Sequence, residues 1–323
     1  MRTAVRLLVA CLVCCLAALM SLSTAAFAAH GPAEVETEPP SSPGSLVVPD
    51  MQPLLEGQGV QAQEEAHRSS PEAVAERRAS ETKFENLNAS QAATVASEAF
   101  PGVIDRPAGG PPPLPAGQKI VSYPRDNVAK VDLGGGKRAA IESIAPMAIE
   151  TSRNQRKPID LDLDEAGNAF KPASPVANVS IPKQLGEGVQ LSESNISVTP
   201  VTAEGAALEG SEGSVDGASV LYANTQTDTD TIAKPTISGF EIGAMLRSAN
   251  SPSQLYYRIG MPSGASLVQQ TSSGPVQILD GGTIIATVLA PGAHDAAGTP
   301  VPVSMEAKGD LLSLTIEDRS GEY

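Results

Sequence analysis

The sequence predicts a mainly β protein: antiparallel, β-sandwich-like domains behind a disordered N-terminal leader with one or two short helices. Three observations carry this prediction. Short apolar runs alternate with polar residues at a period of two through the last two thirds of the chain, the signature of strands with one face buried. Gly, Pro, Asn and Asp clusters punctuate those runs at the spacing of short hairpins. Aromatic residues make up only 3% of the 323 and Trp is absent. The core must therefore be built from Val, Ile, Leu and Ala, which suits half-buried sheet surfaces.

The N-terminus has the layout of a cleavable export signal. Arg2 and Arg6 form a basic start, Leu7 to Leu19 is apolar, and Ala26-Phe27-Ala28 fits a small-residue cleavage site that leaves Ala29 first. The run is shorter than the roughly 20 residues of a membrane span. Leu8-Val9-Ala10-Cys11 matches a lipid-attachment pattern, but the chain stays apolar beyond Cys11, so ordinary cleavage after residue 28 is expected. The three cysteines, Cys11, Cys14 and Cys15, all fall inside this segment. The mature chain then has no disulfide, no thiolate metal site and no Cys nucleophile. A secreted or cell-wall location follows, and no further apolar span occurs.

Residues 29–69 are rich in Pro, Glu, Gln and Ser, and cannot bury enough surface to offset their ordering entropy. They are expected to be disordered. Residues 70–100 hold two short helices. One is capped by Ser70 with Pro71 at its first position. The second opens with Asn88 and, three residues on, Gln91, and puts Ala92, Val95, Ala96 and Ala99 on one face. Residues 101–117 contain six Pro and four Gly and read as a linker.

A β-rich domain is expected over 118–202. Ala129, Val131 and Leu133 alternate with Lys130 and Asp132, and Gly134-Gly135-Gly136 turns the chain into a hairpin. Ile159, Leu161 and Leu163 alternate with Asp160, Asp162 and Asp164, before a Gly167-Asn168 turn. Val176 to Ile181 and Val189 to Val201 continue the pattern. Residues 203–218 read as an acidic, Gly-rich loop. A second sandwich-like domain follows over 219–323. Its strands are expected at 219–223, 237–246, 254–259, 266–270, 276–279, 283–289, 301–306 and 311–317.

The chain carries 22 basic and 37 acidic residues, a net charge of −15. That balance disfavours nucleic acid and anionic membranes as partners. Each motif that suggests chemistry has a plainer reading. Gly134-Gly135-Gly136-Lys137 lacks the spacing and the following Ser or Thr of a phosphate loop. Asp160, Asp162 and Asp164 have the spacing that opens a calcium loop, yet Glu165 and Lys171 stand where Gly and Glu belong. Asp228 and Asp230, set among threonines, suit a polar turn between strands. His30, His67 and His294 have no partner Ser in a constrained G-x-S-x-G setting. Asn88, Asn178 and Asn195 begin N-x-[ST] triplets, which chance composition explains. No catalytic, cofactor or metal residue is therefore assigned, and the chain is expected not to be an enzyme.

The last third also contains a series of words. They are Val220-Leu221-Tyr222-Ala223-Asn224, Thr227-Asp228-Thr229-Asp230, Lys234-Pro235, Gly239-Phe240-Glu241, Leu246-Arg247-Ser248, Leu255-Tyr256-Tyr257-Arg258 and Asp295-Ala296-Ala297-Gly298-Thr299-Pro300. Together with Pro158-Ile159-Asp160-Leu161 and Ile181-Pro182-Lys183 upstream, this series resembles a module of actinobacterial secreted proteins with RHS (YD) repeats, which are similar to wall-associated proteins. The resemblance covers about residues 84–323. It implies a non-catalytic structural module, N-terminal to a repeat shell, whose partners are the rest of its own polypeptide or cell-surface components. No YD repeat is present. The resembling proteins run on past Ser320-Gly321-Glu322-Tyr323 into one more strand, so the resemblance implies a truncated frame whose last sheet has an unpaired edge. A surface adhesin or ligand-binding module is the alternative function, and a secreted hydrolase the second alternative.

Overall fold

The computed structural model describes residues 7–14, 83–99, 111–151, 155–295 and 298–317. The expected leader (29–69), the helix opening at Pro71, His30 and His67 lie outside the described residues.

The first described element is a strand, β1 (Leu7–Cys14). The helix α1 (Ala89–Ala99) comes next. Its start is set by a reciprocal cap: Gln91 N–H donates to Asn88 Oδ1 and Asn88 N–H donates to Gln91 Oε1, both at 3.0 Å. Ala92 and Ala96 are fully buried, and Ala96 packs with Leu221, Ile232 and Met245. The small-residue face expected from the sequence is thus a docking face, where the absence of bulk lets the helix lie close on the sheet.

Two small sheets follow. β2 (Lys119–Arg125), β3 (Val128–Gly134) and β4 (Lys137–Glu142) form one, and β5 (Ala148–Thr151) with β6 (Gln155–Pro158) the other. The turn between β3 and β4 is Gly134-Gly135-Gly136, with φ of 83°, 60° and 75°. Three successive left-handed residues demand glycine, so this triplet is a hairpin turn rather than a phosphate cradle. Arg156 ties the sheets together, with Nε 2.7 Å from Asp126 Oδ1 and Nη2 3.0 Å from Glu150 Oε2.

The remaining strands build a sandwich. In chain order they are β7 (Asp160–Ala166), β8 (Ala169–Ser174), β9 (Val179–Pro182), β10 (Val189–Leu191), β11 (Ile196–Val201), β12 (Ser214–Asp216), β13 (Ser219–Gln226) and β14 (Thr229–Thr236). Then come β15 (Gly239–Leu246), β16 (Gln254–Gly260), β17 (Ser266–Gln269), β18 (Val276–Asp280), β19 (Thr283–Val288), β20 (Gly292–His294), β21 (Val303–Lys308) and β22 (Leu311–Ile316). One sheet runs β12-β13-β14-β15-β1-β19-β18-β17, with β20 also pairing β1. The other runs β21-β22-β16-β11-β10-β9-β8-β7. A single apolar cluster draws on both: Phe240, Ile242, Ile278 and Val288 from the first sheet, and Ile181, Val198, Ile259, Leu312 and Leu314 from the second. That is the face-to-face packing of a β-sandwich.

Two expectations are corrected. The sequence reading divides 118–202 from 219–323, yet β11 pairs with β16, from Ser197 opposite Gly260 to Val201 opposite Tyr256. Residues 160–201 and 214–316 therefore share one sandwich. The physical reason is that residues 219–316 supply strands to both sheets, and β7–β11 extend the sheet that β16, β21 and β22 begin. The second correction concerns 227–236. Asp228 lies in the expected polar turn with Thr227, but Asp230 lies on β14, an eight-residue strand with six buried positions.

Tyr222, fully buried on β13, donates its Oη–H to the carbonyl of Pro182 on β9 and so bonds one sheet to the other. Burial, helped by the Glu187 charge, pushes the phenol's pKa well above its usual value. Tyr222→Phe is expected to cost about 1–2 kcal/mol, because the Pro182 carbonyl is left without its partner in a dry setting. Urea unfolding of the two proteins measures this directly, and equal midpoints would refute it. Gln269 makes a second crossing. Its Nε2 donates to Met305 O at 2.8 Å and its Oε1 accepts from Ala307 N at 3.0 Å, which joins β17 to β21.

Candidate functional site: a buried ionic cluster

The most distinctive polar arrangement lies where β13, β14 and β15 meet the segment before α1. Asp230 on β14 and Arg247, just after β15, have side chains with no solvent exposure, and Arg247 Nε lies 3.0 Å from Asp230 Oδ2. That contact is close but off-line, so it is an ion pair rather than a linear hydrogen bond. Asp230 Oδ1 accepts the Asn224 N–H at 2.8 Å. The other guanidinium nitrogens are directed: Nη1 donates to the Phe84 carbonyl at 2.7 Å and Nη2 to Asn224 Oδ1 at 2.5 Å. Burial pushes the Asp230 carboxyl above the ordinary carboxylate range, while the Arg247 charge and the Asn224 N–H pull it back down.

Asp228 completes the cluster. It sits in the turn between β13 and β14 with φ of 44°, a left-handed conformation that Asp tolerates better than most residues. Its Oδ1 accepts the Asn86 N–H at 2.7 Å and its Oδ2 accepts the Ser248 hydroxyl at 2.8 Å. Its own carbonyl accepts Arg247 N–H at 2.9 Å and Ser251 Oγ–H at 2.8 Å. Asn224, also left-handed at φ 55°, donates its Nδ2 to the Leu87 carbonyl at 2.8 Å. Thr225 and Thr231 hydroxyls bond each other at 3.0 Å on adjacent strands. The result is a clamp. Three side chains, Asn224, Asp228 and Arg247, hold the backbone of Phe84, Asn86 and Leu87, and so fix the entry to α1.

Chemically, this set is suited to holding rather than reacting. Every oxygen of Asp228 and Asp230 is engaged by a neighbour, and Arg247 lies beneath the segment that it grips. The sequence reading placed Asp228 and Asp230 in a polar turn, gave Asn224 and Arg247 no role, and so missed the cluster. The available signal was a lone Arg directly after the apolar run Ile242–Leu246, since a cation flush with a buried strand needs a buried anion.

The other motifs lie apart from it. Asp160, Asp162 and Asp164 are exposed on β7, and Asp162 N–H bonds back to Asp160 Oδ1 at 3.1 Å. His294 is exposed on β20. Asn88 is the helix cap, Asn178 donates to Glu193 Oε1 at 2.6 Å, and Asn195 makes the β10–β11 turn at φ 50°. Among the described residues, no three His, Cys, Asp or Glu side chains come together in a way that could hold a metal ion. Nor does any helix among them reach the length and apolarity of a membrane span.

The fold and cluster together define an antiparallel β-sandwich with a helix pinned to one sheet by buried ionic contacts. No protein-family model, no curated protein and no solved structure matches the chain.

Proposed function

We propose that this chain is a secreted, non-catalytic structural module, exported with residues 1–28 removed, and that it forms the N-terminal β part of an RHS-repeat cell-surface or toxin-delivery protein. The buried cluster is the observation that favours a structural role. The polar residues grouped most tightly in the fold, Asn224, Asp228, Asp230, Arg247 and Ser248, are spent on pinning α1 to the sandwich. The same residues lie in the sequence words that resemble the RHS-protein module. The basic start, apolar run and Ala26-Phe27-Ala28 site support export.

The test is an antibody against the sandwich, used on wall, medium and cytoplasmic fractions of the source organism. The captured band is then sequenced by mass spectrometry. The expected band is extracellular, begins at Ala29 and yields YD-repeat peptides from the same polypeptide. A cytoplasmic band beginning at Met1, without such peptides, would sink the proposal.

A further inference from the structure

The strand β1 occupies an unusual place. All eight of its residues pair antiparallel with β15, from Leu7 opposite Leu246 to Cys14 opposite Gly239. Its other side is bounded by two strands. Val13 and Cys14 pair with Val288 and Thr287 of β19, and Leu8, Val9 and Ala10 pair with His294, Ala293 and Gly292 of β20. Pro291 lies between β19 and β20 and cannot donate to a ladder, so the wall of the slot breaks there into two pieces. Seven of the eight β15 residues are buried, and Phe240, Ile242, Ala244 and Leu246 belong to the main core.

The segment that fills this slot is also the apolar part of the export signal. Removing residues 1–28 takes away the only partner along one whole side of a buried strand. A row of buried backbone N–H and C=O groups would be left unmet, and such groups are almost always paired in folded proteins. The occupant must be one strand wide, because strands wall both sides; the edge of another folded sheet cannot enter. It must also be uncharged opposite Ile242 and Ala244, which are buried. Residues 29–82 and 318–323 offer no substitute. Within 29–82, every Pro-free stretch of eight residues carries several polar or charged groups, and 318–323 reads Asp-Arg-Ser-Gly-Glu-Tyr.

We infer that the slot along Gly239–Leu246, once freed of residues 1–28, accepts a single apolar extended strand from outside residues 29–323, antiparallel to β15. This rests on the export reading above. Affinity would come from main-chain hydrogen bonds, and selectivity from excluding charge opposite Ile242 and Ala244.

The experiment uses the full chain with a specific protease site between Ala28 and Ala29, cut after folding. The probe is a labelled peptide of residues 6–15 with its cysteines replaced by serine. Once the cut fragment is displaced, alternate backbone amides of 239–246 should exchange about tenfold faster or more. The probe should then bind saturably and restore their protection. A control peptide carrying Val9→Lys and Cys11→Lys, the positions opposite Ala244 and Ile242, should not bind. A fragment that stays bound through gel filtration until the probe displaces it also supports the inference. Amides that stay protected after the fragment has left, with no probe binding, overturn it, because the sheet then closes by itself. Equal binding of the lysine control overturns it as well. An exported chain found to begin at Met1 refutes the export reading alone, since the peptide measurement is made on the cut chain whatever the cell does.

Discussion

Arg247→Met is expected to destabilise the fold by about 3–5 kcal/mol, the usual cost of stripping one member from a buried ion pair. The loss has two parts. Asp230 keeps its burial without its counter-charge, and the carbonyl of Phe84 and the side chain of Asn224 lose their donors. The deficit should depend on pH with a definite sign. The Asp230 carboxyl is already raised by burial, and without Arg247 it rises further. A folded-state value above the unfolded one means that the penalty is present above the folded pKa. It fades as pH falls towards the ordinary carboxylate value of about 4. Replacing both partners, Asp230→Leu with Arg247→Met, should recover most of the loss, because two apolar groups need no pairing. Denaturant unfolding of the two single variants and the double between pH 4 and 8 measures all three effects. Additive losses, or a deficit that grows on acidification, would show that the pair does not act as a buried unit.

Phe240→Ala is expected to cost about 3–5 kcal/mol, the range for removing a buried aromatic and leaving a cavity. Phe240 is fully buried on β15, sits opposite Pro235 on β14, and belongs to the cluster that joins the two sheets. The neighbouring strand β14 is paired on both sides and cannot easily collapse into the space. A thermal midpoint within a few degrees of the parent would mean that this part of the sandwich is loosely packed.

These two sites mark where the sequence was legible and where it was not. Local patterns were readable. The Asn88 and Gln91 cap, the Gly134–Gly136 hairpin, and every strand expected from 254 onward are found in the structure within about two residues. Each depends on contacts between near neighbours or on period-two alternation. The short β5–β6 hairpin and β12 escaped this reading, but the larger failures are long-range. β14 was missed because Thr-Asp-Thr-Ile-Ala-Lys-Pro-Thr carries an acid, a lysine and a proline, none of which favours a strand. What buries it is the helix and Arg247, over Ile232 and Asp230 on one face, and the sandwich core against Ala233 on the other. Phe84 and Arg247 are 163 residues apart, and no local window joins them. The run at Leu7 shows a different limit. A short apolar stretch reads equally as a signal core or a buried strand, and periodicity alone does not separate them.

The two sheets end in four edge strands, and their protection differs. Along one seam Gln269 stitches β17 to β21, so two of the four edges face each other. At the other seam Leu163 N–H reaches only the Gly217 carbonyl, at 3.2 Å, leaving β7 and the three-residue β12 as the outermost strands. β7 carries Asp160, Asp162, Asp164 and Glu165, all exposed. A second molecule approaching edge to edge in the same register would bring its own acid row against this one, with charges well inside the screening length of about 8 Å at physiological ionic strength. The aspartates that resemble the opening of a calcium loop thus have a use without any ion: they keep copies of this sandwich from adding to one another strand by strand.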